Sequence, residues 1–103
     1  MEVELDVFSG RPNPKWELNT GDTRKLQTKL DSLTEQTTPA ADPGLGYRGF
    51  VLRGAGRTWR VFQGRVGLES PGPVITYRDT PYVEVDLINQ AKSQGYGDLI
   101  PSH

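Results

Sequence analysis

Acidic and aliphatic residues alternate at the start of the chain, with Glu2, Glu4 and Asp6 on one side and Val3, Leu5 and Val7 on the other. A period of two marks a strand with one buried face, so 2–7 is predicted as an amphipathic strand. It stops at Ser9-Gly10-Arg11-Pro12-Asn13-Pro14, where two prolines fix φ and remove backbone donors. The period then lengthens. Leu26, Leu30 and Leu33 fall on one helical face, with Gln27, Lys29, Asp31 and Ser32 suited to solvent. Asn19 is placed to cap this helix and Asp22 to meet the positive end of its dipole.

The stretch 37–44 reads as loop from its prolines and small residues. Segments 47–53 and 58–64 are rich in aromatic and branched residues and read as two strands. Gly54-Ala55-Gly56 between them suits a tight three-residue hairpin connection. Ser70-Pro71-Gly72-Pro73 is a second break, and 74–77 is a fourth strand. Segment 82–94 has two readings. Val83, Val85 and Leu87 alternate as in a strand, but Val83, Leu87, Ile88 and Ala91 also share a helical face. Thr80-Pro81 offers a cap followed by proline at the first helical position, and the polar tail ending at Gly95 favours the helix. The expected fold is a single α+β two-layer domain over 1–103, a mostly antiparallel sheet of about four strands with two helices on one face.

Composition narrows the chemistry. Twelve Lys and Arg against 13 Asp and Glu leave a net charge of −1, unlike a wholly basic nucleic-acid binder. There is no cysteine, and the one histidine is His103. That removes disulfides, thiolate chemistry, cysteine-ligated metals and a serine–histidine triad. No basic-then-apolar leader opens the chain and no run approaches the ~20 apolar residues of a membrane span, so a soluble cytoplasmic protein with no membrane role is expected. Gly44-Leu45-Gly46-Tyr47-Arg48-Gly49 spells GxGxxG, but it lacks the preceding strand and following helix of a dinucleotide site, so no cofactor is expected.

The loop Phe8–Pro14, with Trp16 just after it, is the first candidate site. Its two prolines leave little ordering entropy to lose on binding; Arg11 presents a planar fork of donors, Asn13 an amide, and Trp16 an apolar wall. A plain connector, with Arg11 paired to an acid and Trp16 in the core, explains the same residues. The run Leu5-Asp6-Val7-Phe8-Ser9-Gly10-Arg11-Pro12-Asn13-Pro14-Lys15-Trp16-Glu17-Leu18 resembles the opening of a family of small, mainly bacterial proteins with a valine–phenylalanine–serine–glycine–arginine–proline–asparagine–proline pattern. Leu45-Gly46-Tyr47-Arg48-Gly49-Phe50 is similar to a second run of that family. The resemblance covers about a fifth of the chain. It implies that the loop matters and carries over no reaction.

Two further features offer rival readings. Arg48, Arg53, Arg57, Arg60 and Arg65 interleave with Tyr47, Phe50, Trp59 and Phe62, and no acid occurs between Asp42 and Glu69. Arginine with exposed aromatics suits single-stranded nucleic acid, with hairpin 47–65 as the surface and Arg53, Arg57, Arg60 and Trp59 as contacts. The alternative is pairing of these arginines with Glu2, Glu4 and Asp6 across the sheet. Strand alternation sets Arg48 opposite Arg53, and Arg60 opposite Arg65, which splits the patch. Glu2, Glu4 and Asp6, or Asp79, Glu84 and Asp86, offer oxygen ligands for calcium or a carboxylate-based enzyme, but no calcium-loop spacing supports either. The leading expectation is therefore a non-catalytic binding module without metal, its surface built from Ser9, Arg11, Asn13, Trp16 and Arg48, and its partner a protein or a small anionic ligand.

Overall fold

The computed structural model describes residues 1–8, 12–35, 47–70, 72–79 and 82–100. The elements are β1 (Glu2–Leu5), β2 (Lys15–Glu17), α1 (Thr20–Asp31), β3 (Thr34–Glu35), β4 (Phe50–Gly54), β5 (Arg57–Phe62), β6 (Arg65–Ser70), β7 (Ile75–Arg78) and α2 (Val83–Ser93). A 3-10 turn, Gly97–Leu99, follows α2. Among the described residues the strands form one seven-stranded sheet in the order β2-β1-β4-β5-β6-β7-β3, every neighbour antiparallel. The fold is α+β, with seven strands where four were expected.

The extra strands have identifiable causes. Segment 58–64 does not run on as one strand, because Gln63 and Gly64 both take positive φ, 48° and 78°, and reverse the chain. Two residues with positive φ match the twist of a tight antiparallel hairpin, and glycine meets that demand at no steric cost. The turn before it has the same form at Ala55 and Gly56, two residues rather than the expected three. β2 is three residues long and β3 two, too short for alternation to announce them. The expected loop at 37–44 lies outside the described residues.

Register explains the core. Val3 pairs with Trp16 and Leu52, Leu52 with Trp59, and Trp59 with Leu68; one step along, Leu5, Phe50, Val61, Val66 and Tyr77 form a parallel row. Antiparallel partners share a face, so both rows point the same way. They join Leu26 and Leu30 of α1 and Val83, Leu87, Ile88 and Ala91 of α2 in one apolar cluster. Each fully buried side chain of this size contributes roughly 1.5–3 kcal/mol. The other face carries Glu2, Glu4, Lys15, Val51, Arg53 and Arg60.

Both helices begin on a side-chain acceptor. The Asn19 side chain takes the Asp22 amide at 2.7 Å, as its sequence position predicts. Segment 82–94 is helical, and its cap comes from Asp79. The two carboxylate oxygens of Asp79 accept the Val83 and Glu84 amides at 2.7 and 2.9 Å. Tyr82, the residue preceding the helix, takes φ of 58° and makes no capping bond with its side chain. Thr80 and Pro81 lie outside the described residues. Among the described residues no helix is long and apolar enough to cross a membrane.

Candidate functional site

The polar face of the sheet gathers the acids of the first strand against the arginines of the central hairpins. Arg53 donates to Glu4 at 2.7 Å and lies 3.6 Å from Glu2. Arg60 donates to Asp6 at 2.7 Å and to Glu69 at 3.1 Å. Glu69 reaches it from a bulge: Thr58 pairs with Ser70 and Trp59 with Leu68, leaving Glu69 as the extra residue. Arg48 closes the network from the other side, donating to Asp6 at 2.8 Å and to the Phe8 carbonyl at 3.1 Å. Asp6 is thus held between two guanidinium groups, with its side chain 9% exposed.

The local folding that brings Arg48 there turns on Gly49. Its φ of +85° breaks the alternation between Tyr47 and Phe50, so Arg48 and Arg53 reach the same row of acids instead of opposite faces. The Arg48 amide donates to the Asp6 carbonyl at 2.8 Å, and the Asp6 amide to the Gly49 carbonyl at 2.9 Å. Arg60 and Arg65 also share a face. The turn at Gln63 and Gly64 lies between them, and Arg65 stands two residues before Gly67, the partner of Arg60. The expected split of the arginines is therefore wrong, because it ran one strand through a hairpin.

Asn13 fixes the base of the neighbouring loop. Its side-chain oxygen accepts the Val7 and Phe8 amides at 3.0 and 2.8 Å. Its amide nitrogen donates to Glu4 at 2.7 Å and reaches Asp6 at 3.4 Å. Burial pushes the Glu4 carboxyl up, but the hydrogen bonds from Asn13 and Arg53, with the charges of Arg53 and Lys15, outweigh it and hold the group below its ordinary value. Arg60 experiences the opposing pair in its own form: burial disfavours its charge, and Asp6 and Glu69 restore and exceed it, so the guanidinium stays charged.

The lowered Glu4 value predicts an acid-dependent share of stability. As pH falls, the unfolded chain takes up this proton first, near its ordinary pKa of about 4.3. The stabilisation is therefore complete above that value and disappears as pH falls through the folded value. The gap in unfolding free energy between the wild type and Glu4→Gln should be widest near neutral pH and shrink as pH falls below the ordinary carboxylate value. Urea unfolding at a series of pH values checks this, and a gap that holds constant or widens in acid contradicts it.

Of the residues expected to form the site, Asn13 and Arg48 are brought together on Asp6, whereas Ser9 and Arg11 lie outside the described residues. Trp16 is elsewhere. The alternation of β2 sends Lys15 and Glu17 to the polar face and turns Trp16 into the core, 9% exposed. There it stacks on Tyr96 at 5.8 Å and donates from its indole nitrogen to Gln90 at 3.2 Å. Its edge lines a cleft of about 560 Å³ between the first turn of α1 and the last turns of α2. Asp6, Glu4, Arg60 and Glu69 are the residues that sequence reasoning did not assign to the site. Their signal was the alternating acids opposite an acid-free arginine run.

Three of the hairpin's four aromatic residues join the core or pack against it, whereas Phe62, the partner of Arg65, is half-buried on the polar face. Trp59 is 4% exposed, Phe50 is fully buried, and Tyr47 donates its hydroxyl to Glu84 at 2.5 Å. Burial, reinforced by that bond and by the Glu84 charge, pushes the Tyr47 phenol well above its ordinary pKa. The acids weighed as metal ligands are engaged as well: Asp79 with the amides of α2, Asp86 with Lys29, and Glu84 with Tyr47. Among the described residues no group of three acids or histidines is placed to hold a metal ion. Comparison with protein-family models, with curated proteins and with solved structures found no match.

Proposed function

We propose that this protein is a small cytoplasmic binding module without catalytic activity. Its ligand surface is the end of the polar sheet face where Asn13 and Arg48 meet, extended by Ser9 and Arg11 of the adjoining loop, and both helices occupy the other face. The ligand is an anionic group, carried by a protein or by a small molecule.

The observation that carries this reading is the convergence on Asp6. Residues far apart in sequence, Asn13 and Arg48, both reach its carboxylate, and each also holds the backbone at Val7 or Phe8. The two runs that resemble the small bacterial family are the runs that meet here. The base of the loop is thus fixed before any ligand arrives, which lowers the ordering cost of binding. The Arg48 Nε is buried and has no hydrogen-bond partner. A buried donor left unmade costs about 1–3 kcal/mol, a cost that an arriving oxygen acceptor removes.

Backbone amide spectra recorded against succinate and against a short Asp/Glu peptide test the reading. Saturable shifts at Val7, Phe8, Asn13 and Arg48, lost in Arg11→Ala, are the expected result. Shifts confined to other parts of the chain, or none with either probe, refute the assignment.

A further inference from the structure

We propose that Arg65 and Arg78 form a second binding site, specific for a phosphate-type oxyanion, on the same sheet face but on its other half. The two arginines are direct cross-strand partners between β6 and β7. Like charges placed opposite one another in an antiparallel pair repel. Every ion pair formed among the described residues involves other groups, so neither charge is offset. The Nε of Arg65 is also buried without a hydrogen-bond partner.

The nearby acids are committed to other bonds or, in the case of Glu35, paired in register with Tyr77 of the opposite face. Glu69 is taken by Arg60, Asp79 by the first amides of α2, and Glu84 by the Tyr47 hydroxyl and the Gly64 amide. The groups that adjoin the pair in register are the half-buried Phe62 ring, which is the other partner of Arg65, a hydroxyl donor and bare backbone. Thr34 is the other partner of Arg78, and the next pair on the same face is Gly67 with Thr76. Gly67 has no side chain to fill the space beside the arginines, and among the described residues the one atom within 4 Å of where a Cβ would stand is a Val74 methyl at 3.9 Å.

Two guanidinium forks and two threonine hydroxyls around an open glycine, bordered by the Phe62 ring, make a surface rich in donors. Planar guanidinium groups bind oxyanions through paired N–H bonds, and a tetrahedral anion has oxygens enough to engage both forks and a hydroxyl. A nucleic-acid strand is less well served. Its bases need a run of exposed rings, and among the described residues the pair has beside it on this face one half-buried ring, Phe62, while Trp59 and Tyr77 lie in the rows that face the core.

The test is a titration of the full chain with inorganic phosphate at constant ionic strength, chloride balancing the charge, followed by the amides of Arg65, Gly67, Thr76 and Arg78. Saturable shifts in the wild type, with affinity roughly tenfold or more weaker in Arg65→Thr and in Arg78→Thr, support the site. Arg57→Thr, remote from the pair, should bind as the wild type does. In phosphate-free, low-salt buffer the Arg78→Thr variant should melt higher than the wild type, because it removes the repulsion; added phosphate should then raise the wild-type melting temperature only. Shifts no larger than those with chloride overturn the proposal. So does an Arg78→Thr variant that is less stable without phosphate. A short single-stranded oligonucleotide that binds while inorganic phosphate does not overturns it as well.

Discussion

Gly49→Ala should cost about 4 kcal/mol or more, a large fraction of what a domain of this size has in reserve. A Cβ at this position would stand 1.9 Å from the Val61 carbonyl oxygen and 2.9 Å from the Phe62 Cβ. No rotamer relieves that contact, because the obstruction is backbone in β5, paired on both sides with β4 and β6. Relief requires moving either β5 or the Gly49 peptide, whose carbonyl takes the Asp6 amide. Gly64→Ala is the informative companion. Gly64 has a similar positive φ of 78°, but nothing lies within 4 Å of where its Cβ would be. That variant carries only the left-handed backbone cost of about 1–2 kcal/mol. Urea denaturation of the two variants separates conformational strain from collision. Equal losses in both would mean that the β4–β5 pairing yields to the added methyl, contrary to expectation.

What could be read from the sequence, and what could not, follows the range over which each cause acts. The N-terminus of α1 was legible because its cap is local, Asn19 bonding the amide of Asp22. The buried face of α2 was legible for the same reason, since Val83, Leu87, Ile88 and Ala91 follow the helical period. Its cap was not, because Asp79 acts across Tyr82 in an uncommon left-handed backbone conformation. The hairpin at Gln63 and Gly64 was missed because glutamine is not among the residues favoured in turns with two positive φ angles. That omission left β6 unassigned, and carrying the alternation of 58–64 on to Arg65 put Arg60 and Arg65 on opposite faces.

The site divides along the same line. Acids alternating on one strand and an arginine run lacking acids predicted a charge pairing, and that pairing is what Glu4, Asp6, Arg53 and Arg60 make. The pairing of Arg48 with Asp6 depends on the reversal at Gly49, which no periodicity signals. Trp16 misled for a further reason. Adjacency in sequence to Arg11 and Asn13 says nothing about side, and one residue of strand is enough to send a ring through to the opposite face.

Asp6→Asn should destabilise the protein by about 2–3 kcal/mol, and Asp6→Ala by somewhat more. Breaking a buried ion pair by removing one partner costs about 3–5 kcal/mol, because the charge left behind has lost both water and counter-ion. Here the carboxylate side chain is 9% exposed but Arg48 and Arg60 are 25% and 36% exposed, so solvent recovers part of that cost. Asparagine keeps one acceptor for Arg48 and supplies no charge to hold two guanidinium groups side by side; Glu69 can then answer only Arg60. The effect should fall mainly on Arg48, whose remaining bond is to the Phe8 carbonyl. Hydrogen exchange should accordingly quicken at Asp6 and Arg48, whose amides tie β1 to the segment before β4, more than at Val61 or Val66 in the centre of the sheet. A double-mutant cycle with Arg48→Met gives the pairwise part, expected at roughly 1–2 kcal/mol of the cost. Strict additivity would show that Asp6 acts through Arg60 and Asn13 and not through Arg48. In that case the carboxylate would not be the group that aims the Arg48 guanidinium towards the loop.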